Sequence, residues 1–306
     1  MFRPSGIYPA MLTPFHSDVT INEEQLRQLV DFQIAAGVTG LFPVASVGEG
    51  VHMRTEEKMR CMDIVVSQAA GRVPVTPGVP ATHPKECIAL AQYAKSIGCD
   101  AVVVTPPYFF KPDALTVENF FHQIADHAGL PVILYNIPLF TQPLPYDVVA
   151  RLACHPNVVA MKDSSGSAVD FLHFQDSIRL AGANIAQFTG REDMFLPALL
   201  MGAEGSMTAT TAVLPEVMSA IWQHYQAGET ERAFELQRAL LEPIRTMFPA
   251  LPVVFKLGLD IRGFNMGEPV LPLDNATRQT FEQLRPKLEQ MLTDVLAMVG
   301  APLKVC

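Results

Sequence analysis

Short apolar runs rich in Val, Ile and Phe alternate along the chain with longer stretches whose apolar positions recur at helical spacing. That alternation is the signature of βα units and a parallel sheet. The runs that predict strands cover 7–13, 40–44, 73–78, 101–105, 132–135, 158–161, 185–188 and 206–209. Between them, the segments 23–36, 56–70, 84–97 and 117–127 predict helices long enough to cross back over such a sheet. Asn22 with Gln25, and Thr55 with Lys58 behind Glu56 and Glu57, sit where caps and first-turn acids belong. Gly37, Gly71, Gly98 and Gly129 stand where a left-handed residue closes a helix. Eight βα units within roughly 225 residues fit an α/β TIM (β/α)8 barrel better than an open dinucleotide-binding sheet, which has fewer strands and a Gly-rich turn.

Past Pro215 the strand signal stops, and helical periodicity continues through 216–227, 230–247, 251–263 and 276–299. The expectation is a catalytic barrel over 1–225 and an all-helical C-terminal region over 226–306. Its Met, Leu and Phe stripes should pack on the barrel or on a partner subunit.

Composition narrows the function classes. The 306 residues are 49% hydrophobic and 17% charged, ample for a well-buried core. A net charge of −9 without long basic runs leaves no electrostatic footprint for nucleic acid or an anionic membrane surface, so a small-molecule partner is expected. The five cysteines, Cys61, Cys87, Cys99, Cys154 and Cys306, form no C-x-x-C pair and have no histidines at zinc-ligand spacing. They read as reduced thiols, with no metal site. The N-terminus lacks the apolar core of a signal peptide, and no run is long enough to span a bilayer, which predicts a cytoplasmic protein.

In such a barrel the chemistry gathers at the C-terminal ends of the strands, so polar residues closing apolar runs are the candidates. Lys162 ends the run Val158-Val159-Ala160-Met161. Desolvation there disfavours an ammonium ion and supplies a neutral amine able to attack a ketone. The alternative is a strand-end lysine that reaches solvent or pairs with Asp163. Tyr135 ends the preceding strand, and neighbouring strands lie about 5 Å apart, so its hydroxyl can reach the amine and move protons for it. Otherwise it is a core cap with its hydroxyl in water. The turn from Ala45 through Ser46, Val47, Gly48 and Glu49 to Gly50 can converge its N–H groups on a carboxylate, or be an ordinary βα connection. Phosphate is the less expected anion, because the later turns carry Glu192 and Asp193 in place of a paired-glycine cradle.

Taken together, these segments resemble the dihydrodipicolinate synthase and N-acetylneuraminate lyase family of class I aldolases over essentially the full length. The landmarks are Gly6-Ile7-Tyr8-Pro9-Ala10-Met11-Leu12-Thr13-Pro14-Phe15, Ser46-Val47-Gly48-Glu49, Thr105-Pro106-Pro107-Tyr108, Tyr135-Asn136-Ile137-Pro138 and Lys162-Asp163-Ser164-Ser165-Gly166. The resemblance implies that Lys162 forms a Schiff base with pyruvate or another 2-keto acid and that Tyr135 is the acid/base. It further implies that Ser46 relays protons and that the backbone at Ser46 and Val47 receives the carboxylate. Tyr108 becomes the counterpart of an aromatic hydroxyl lent across a dimer interface, in a homotetramer built as a dimer of dimers. Gly190 and Met207 line the pocket; Ser164, Glu192 and Asp193 match positions that hold polyhydroxy chains in sugar-acid lyases, where Ala209 drops a hydroxyl. Glu192 and Asp193 can equally be first-turn acids of a helix.

Two departures matter. Phe140 occupies the place of the arginine that grips the second substrate's carboxylate in true dihydrodipicolinate synthases, and Val47 replaces a hydroxyl residue. The expectation is therefore a lyase that splits or dehydrates a 2-keto-3-deoxy acid, with an aldehyde as the second partner. Condensation with aspartate semialdehyde and non-catalytic keto-acid binding are the rival expectations. No cofactor is required, since a protonated imine supplies the electrophilic pull of a metal.

Overall fold

The structure is a computed structural model that describes residues 2–305; Cys306 lies outside the described residues. Six parallel strands form one sheet: β1 (Gly6–Pro9), β2 (Val102–Val104), β3 (Val132–Asn136), β4 (Val158–Asp163), β5 (Ala186–Thr189) and β6 (Gly205–Thr208). Their order is β1-β6-β5-β4-β3-β2. The two remaining staves are joined by three single bridges, Ala10 to Phe42, Leu41 to Val75 and Gly78 to Val103, which lead from β1 round to β2 and close the barrel.

The sequence pattern placed strands at 40–44 and 73–78, and the chain runs there without a continuous ladder. Proline is the reason. Phe42, Leu41, Gly78 and Val103 donate their N–H groups to the carbonyls of Pro9, Pro74, Pro43 and Pro77 at 2.9–3.1 Å. The return bonds come from Met11 N to Phe42 O, Thr76 N to Leu41 O and Val79 N to Val103 O at 2.9–3.1 Å, so these rungs are complete. Pro43 and Pro77 have no N–H with which to extend them into a longer ladder.

Helices cover the outside, and those predicted appear with small shifts. Asn22 accepts from Gln25 N at 3.3 Å as a cap. The second helix begins one residue before the prediction: Arg54 is its N-cap, with Glu57 accepting the Arg54 N–H at 2.8 Å, and Thr55 is its first residue. The fourth starts at Ala114, capped by Asp113, because Asp113 meets Thr116 N at 2.9 Å. Gly98, at φ +92°, is one of the four helix-closing glycines, all of which adopt positive φ.

The C-terminal helices are Pro215–Gln226, Thr230–Met247, Val253–Ile261 and Asn275–Ala297. Arg262, fully buried, ties this region to the barrel by donating to Val213 O at 2.9 Å and pairing with Glu216. Among the described residues no helix is long and apolar enough to cross a membrane. Cys61, Cys87 and Cys99 are buried free thiols, pushed up to about 12 by burial, and Cys154 is exposed and free.

Candidate active site

Strand β4 runs two residues beyond the predicted end, so Lys162 sits inside the ladder. Its register partners are Tyr135 on β3 and Phe188 on β5. Side chains alternate along a strand, and this parts Lys162 from Asp163. Its neighbour Asp163 turns the other way and is held by Asn136 Nδ2 at 2.7 Å and Ser165 Oγ at 2.7 Å. Burial raises the Asp163 carboxyl above the usual range, and those hydrogen bonds act against the rise. Lys162 therefore does not pair with Asp163. Its side chain is 3% exposed, and its amine lies 3.9 Å from the centre of the Tyr135 ring and 4.8 Å from that of Phe42. Among the described residues the amine has no hydrogen-bond acceptor and no carboxylate within reach.

Tyr135 is buried, and its hydroxyl accepts from Ser164 Oγ at 3.4 Å. Gly190, at the end of β5, has to lack a side chain. A Cβ there would lie 1.9 Å from Ser164 Oγ and 2.6 Å from Lys162 Cε.

Two adjoining hollows open around these groups. A narrow one of about 50 Å³ is lined by Lys162, Ser164, Gly190, Glu192, Met207 and Arg191 among others. A wide one of about 450 Å³ is walled mainly by apolar groups, with Tyr108, Thr105 and His52 among its polar lining. Ser46, Val47, Tyr135 and Phe140 border both. Tyr108 thus lies in the wide hollow, away from Lys162; burial raises its phenol above the usual value.

Glu192 divides its two oxygens. One accepts the N–H of Thr210 at 2.9 Å; the other is buried without a hydrogen-bond partner. Burial raises this carboxyl, and the Thr210 N–H opposes the rise. Glu192 therefore anchors a helix start, although not that of its own helix, and also lines the narrow hollow. Asp193 is separated from it: its carboxylate engages Arg191 at 3.1 Å and does not line either hollow. The Arg191 guanidinium stacks 4.2 Å above Phe248.

Several contributors came from the C-terminal region, where the sequence pattern indicated packing only. Leu251 borders both hollows, Phe248 the narrow one and Pro252 the wide one. Gln237, in the helix Thr230–Met247, donates to Glu192 O at 2.9 Å and accepts Leu196 N at 3.0 Å. The available signal was the proline-punctuated segment Phe248-Pro249-Ala250-Leu251-Pro252, too irregular to be a plain helix connection.

A closed parallel barrel with a buried, unpartnered lysine at its carboxyl end defines a (β/α)8 enzyme of the amine-dependent kind. The model of the dihydrodipicolinate synthetase family matches residues 3–290. A 4-hydroxy-tetrahydrodipicolinate synthase of Methanopyrus kandleri is 33% identical over 95% of this chain and 97% of its own length. An uncharacterised DapA-like lyase of Thermofilum pendens is 32% identical over 91% and 94%. Among solved structures, YagE, a prophage protein of E. coli K12 from the dihydrodipicolinic acid synthase family in complex with pyruvate, superimposes with a TM-score of 0.88. Its identity is 27%, covering 94% of this chain and 98% of YagE.

This chain belongs to the dihydrodipicolinate synthetase family. Its members are Schiff-base class I aldolases that act on pyruvate.

Proposed function

We propose that the chain is a lyase that carries a 2-keto acid, pyruvate first among them, as a Schiff base on Lys162, and cleaves or dehydrates a 2-keto-3-deoxy acid. One observation carries this reading: a buried amine with no partner, facing a phenol on the adjacent strand. The pyruvate in YagE supports the same keto acid here.

Lys162 attacks C2, and the carbinolamine loses water as Tyr135 delivers a proton to the departing hydroxyl. In the cleavage direction the C4 hydroxyl gives its proton to the Tyr135 phenolate while the C3–C4 bond breaks. The electron pair flows into the iminium to give an enamine, the aldehyde leaves, Tyr135 protonates C3, and water releases pyruvate. Ser46 relays protons to Tyr135, and the N–H groups at Ser46 and Val47 receive the substrate carboxylate. Ser164, Gly190, Met207 and Glu192 line the space for the rest of the substrate; Asp193 acts through Arg191, and Phe140 shapes the entrance.

The chain divides into a catalytic barrel over 1–225 and a helical region over 226–306. It works in the cytoplasm as a homotetramer, a dimer of dimers in which the Tyr108 segment meets the partner. The exposed pair beside Tyr108 supports that assembly: Phe109 and Phe110 are 90% and 78% exposed, and Phe109 is held at φ +80°, a strained angle for a bulky residue.

A second reading is 4-hydroxy-tetrahydrodipicolinate synthase, the name of the Methanopyrus relative. Phe140 offers no carboxylate clamp, but Arg191 lines the narrow hollow. Condensation of pyruvate with aspartate semialdehyde separates the two readings from each other. A keto-acid sensor without turnover is separated from both by a panel of 2-keto-3-deoxy sugar acids assayed for pyruvate release.

The central claim is tested by reduction with borohydride in the presence of pyruvate, followed by peptide mapping. The mass increase is expected on Lys162 and absent from Lys162→Ala. A wild-type protein left unmodified at saturating pyruvate would remove the claim.

A further inference from the structure

The turn that bears Ser46 and Val47 follows a stave whose hydrogen-bond ladder proline interrupts, and its own backbone bonds are local. Glu49 N donates to Ser46 O at 3.0 Å and Gly50 N to Ala45 O at 3.1 Å. Within it Glu49 adopts φ +62°, a left-handed conformation that costs a residue with a Cβ, and its side chain is 1% exposed. A carboxylate placed there without partners would be strongly unfavourable.

The partners come from more than two hundred residues down the chain. One carboxylate oxygen lies 2.8 Å from the Lys256 amine, and the other accepts the N–H of Val270 at 2.7 Å. Lys256, in the helix Val253–Ile261, is 2% exposed. Its amine also donates to Glu268 O at 3.1 Å and lies 4.4 Å from the centre of the Phe15 ring. Burial lowers the Lys256 pKa, and the Glu49 charge opposes that. A pair this deeply buried gains little net stability over two apolar residues, but it admits few other arrangements of the segments it joins.

We propose that the Glu49–Lys256 pair, together with the Glu49 to Val270 bond, is a positioning device through which the C-terminal region sets the place of the Ser46–Val47 turn. The inference rests on the Schiff-base reading above, with the keto-acid carboxylate received by that turn. Glu49 and Lys256 are positioning residues: they fix where the receiving N–H groups stand, and a displacement of the order of 1 Å in such groups is costly to binding and turnover.

The test compares Glu49→Ala, Glu49→Gln and Lys256→Met, each followed by thermal unfolding, KM for the keto acid, kcat, and the fraction of Lys162 trapped by borohydride at low and saturating pyruvate. Glu49→Ala and Lys256→Met are expected to raise KM about tenfold while kcat falls less than about threefold, with trapping restored at saturation. Glu49→Gln keeps one oxygen, enough for the Val270 N–H but not for the Lys256 amine as well, and is expected to raise KM about threefold, less than Glu49→Ala. Variants that lose thermal stability yet keep the wild-type KM overturn the proposal. Should the single charge deletions fail to fold, Glu49→Gln/Lys256→Met buries no unpaired charge and replaces them. A KM at least about threefold above that of wild type supports the proposal, and a wild-type KM overturns it. Wild-type protein that cannot be trapped overturns the Schiff-base reading and this proposal with it, whereas trapping with unchanged KM overturns this proposal alone.

Discussion

The two halves of the barrel are built differently. From β3 to β6 the staves form a continuous parallel ladder, and Lys162, Tyr135, Ser164 and Gly190 all stand on it or at its ends. From the end of β1 to β2 the staves are joined only by isolated bridges between prolines, and the Ser46–Val47 turn projects from this irregular half. The proposed reacting groups thus sit where backbone hydrogen bonds fix geometry, and the proposed carboxylate-receiving turn sits where side chains must do so. Thr13 Oγ1 donates to Gly48 O at 2.8 Å, and Lys58 Nζ donates to Pro80 O at 2.8 Å, both buried. Mutations in the first half should act on the chemical step, and those in the second on keto-acid affinity and stability.

The largest effect is expected from Tyr135→Phe. Removing a positioned acid/base costs about 10²–10⁴ in kcat, while the ring that faces the Lys162 amine remains and keto acid still binds. Single-turnover rates beside equilibrium trapping check this; equal rates in variant and wild type exclude the acid/base role. Next comes Gly190→Ala. Its new Cβ must displace Ser164 Oγ and Lys162 Cε, and on a rigid ladder that displacement falls on the amine, so kcat/KM should drop by about 10–100-fold with the fold intact. A variant as active as wild type would mean that the ladder yields more readily than its pairing around Lys162 suggests.

Glu192→Gln sharpens the comparison through pH. The folded protein raises the Glu192 carboxyl above its unfolded value, chiefly by burial, so the folded state holds its proton more tightly. The stability this favours is fully present below the unfolded value, near pH 4.5, and is lost as pH rises through the folded one. Glutamine keeps an oxygen for the Thr210 N–H and carries no charge. The variant should match wild type in acid and exceed it at neutral pH, measured by urea unfolding across that range. A stability difference that does not change with pH would contradict the raised pKa.

The difference between the halves also explains what the sequence revealed. A βα alternation and a run such as Val158-Val159-Ala160-Met161 before Lys162 are local patterns, and register then brought Tyr135 opposite that lysine, as adjacent strands require. The prolines at 43, 74 and 77 were equally visible, but their effect on the ladder depends on which neighbour's carbonyl is left without a donor. Asp193 failed to join the hollow for a similar reason. Its neighbour Arg191 supplies a nearer charge, and a three-residue 3₁₀ turn starting at Glu192 sends the two acids in different directions. Gln237, Lys256 and Leu251 were not legible at all as site residues. Each reaches the site across a long sequence separation from a helical region whose periodicity reports only that it packs.

The smallest expected effect tests the irregular half alone. Thr13→Val keeps the shape of a side chain that is 1% exposed and deletes the hydroxyl that satisfies the Gly48 carbonyl. An acceptor left without its donor in a buried site costs about 1–3 kcal/mol, so the urea midpoint should fall with an unchanged m-value. Gly48 itself has little freedom to adjust, since a Cβ on it would lie 2.3 Å from Met11 O, and the backbone there is already close-packed. Any relaxation must therefore pass along the turn to Val47 and Ser46, raising KM for the keto acid by about two- to threefold with kcat preserved. If stability falls and KM stays fixed, the turn is held in place from its far end by Glu49, and the hydroxyl of Thr13 stabilises the fold without aligning the site.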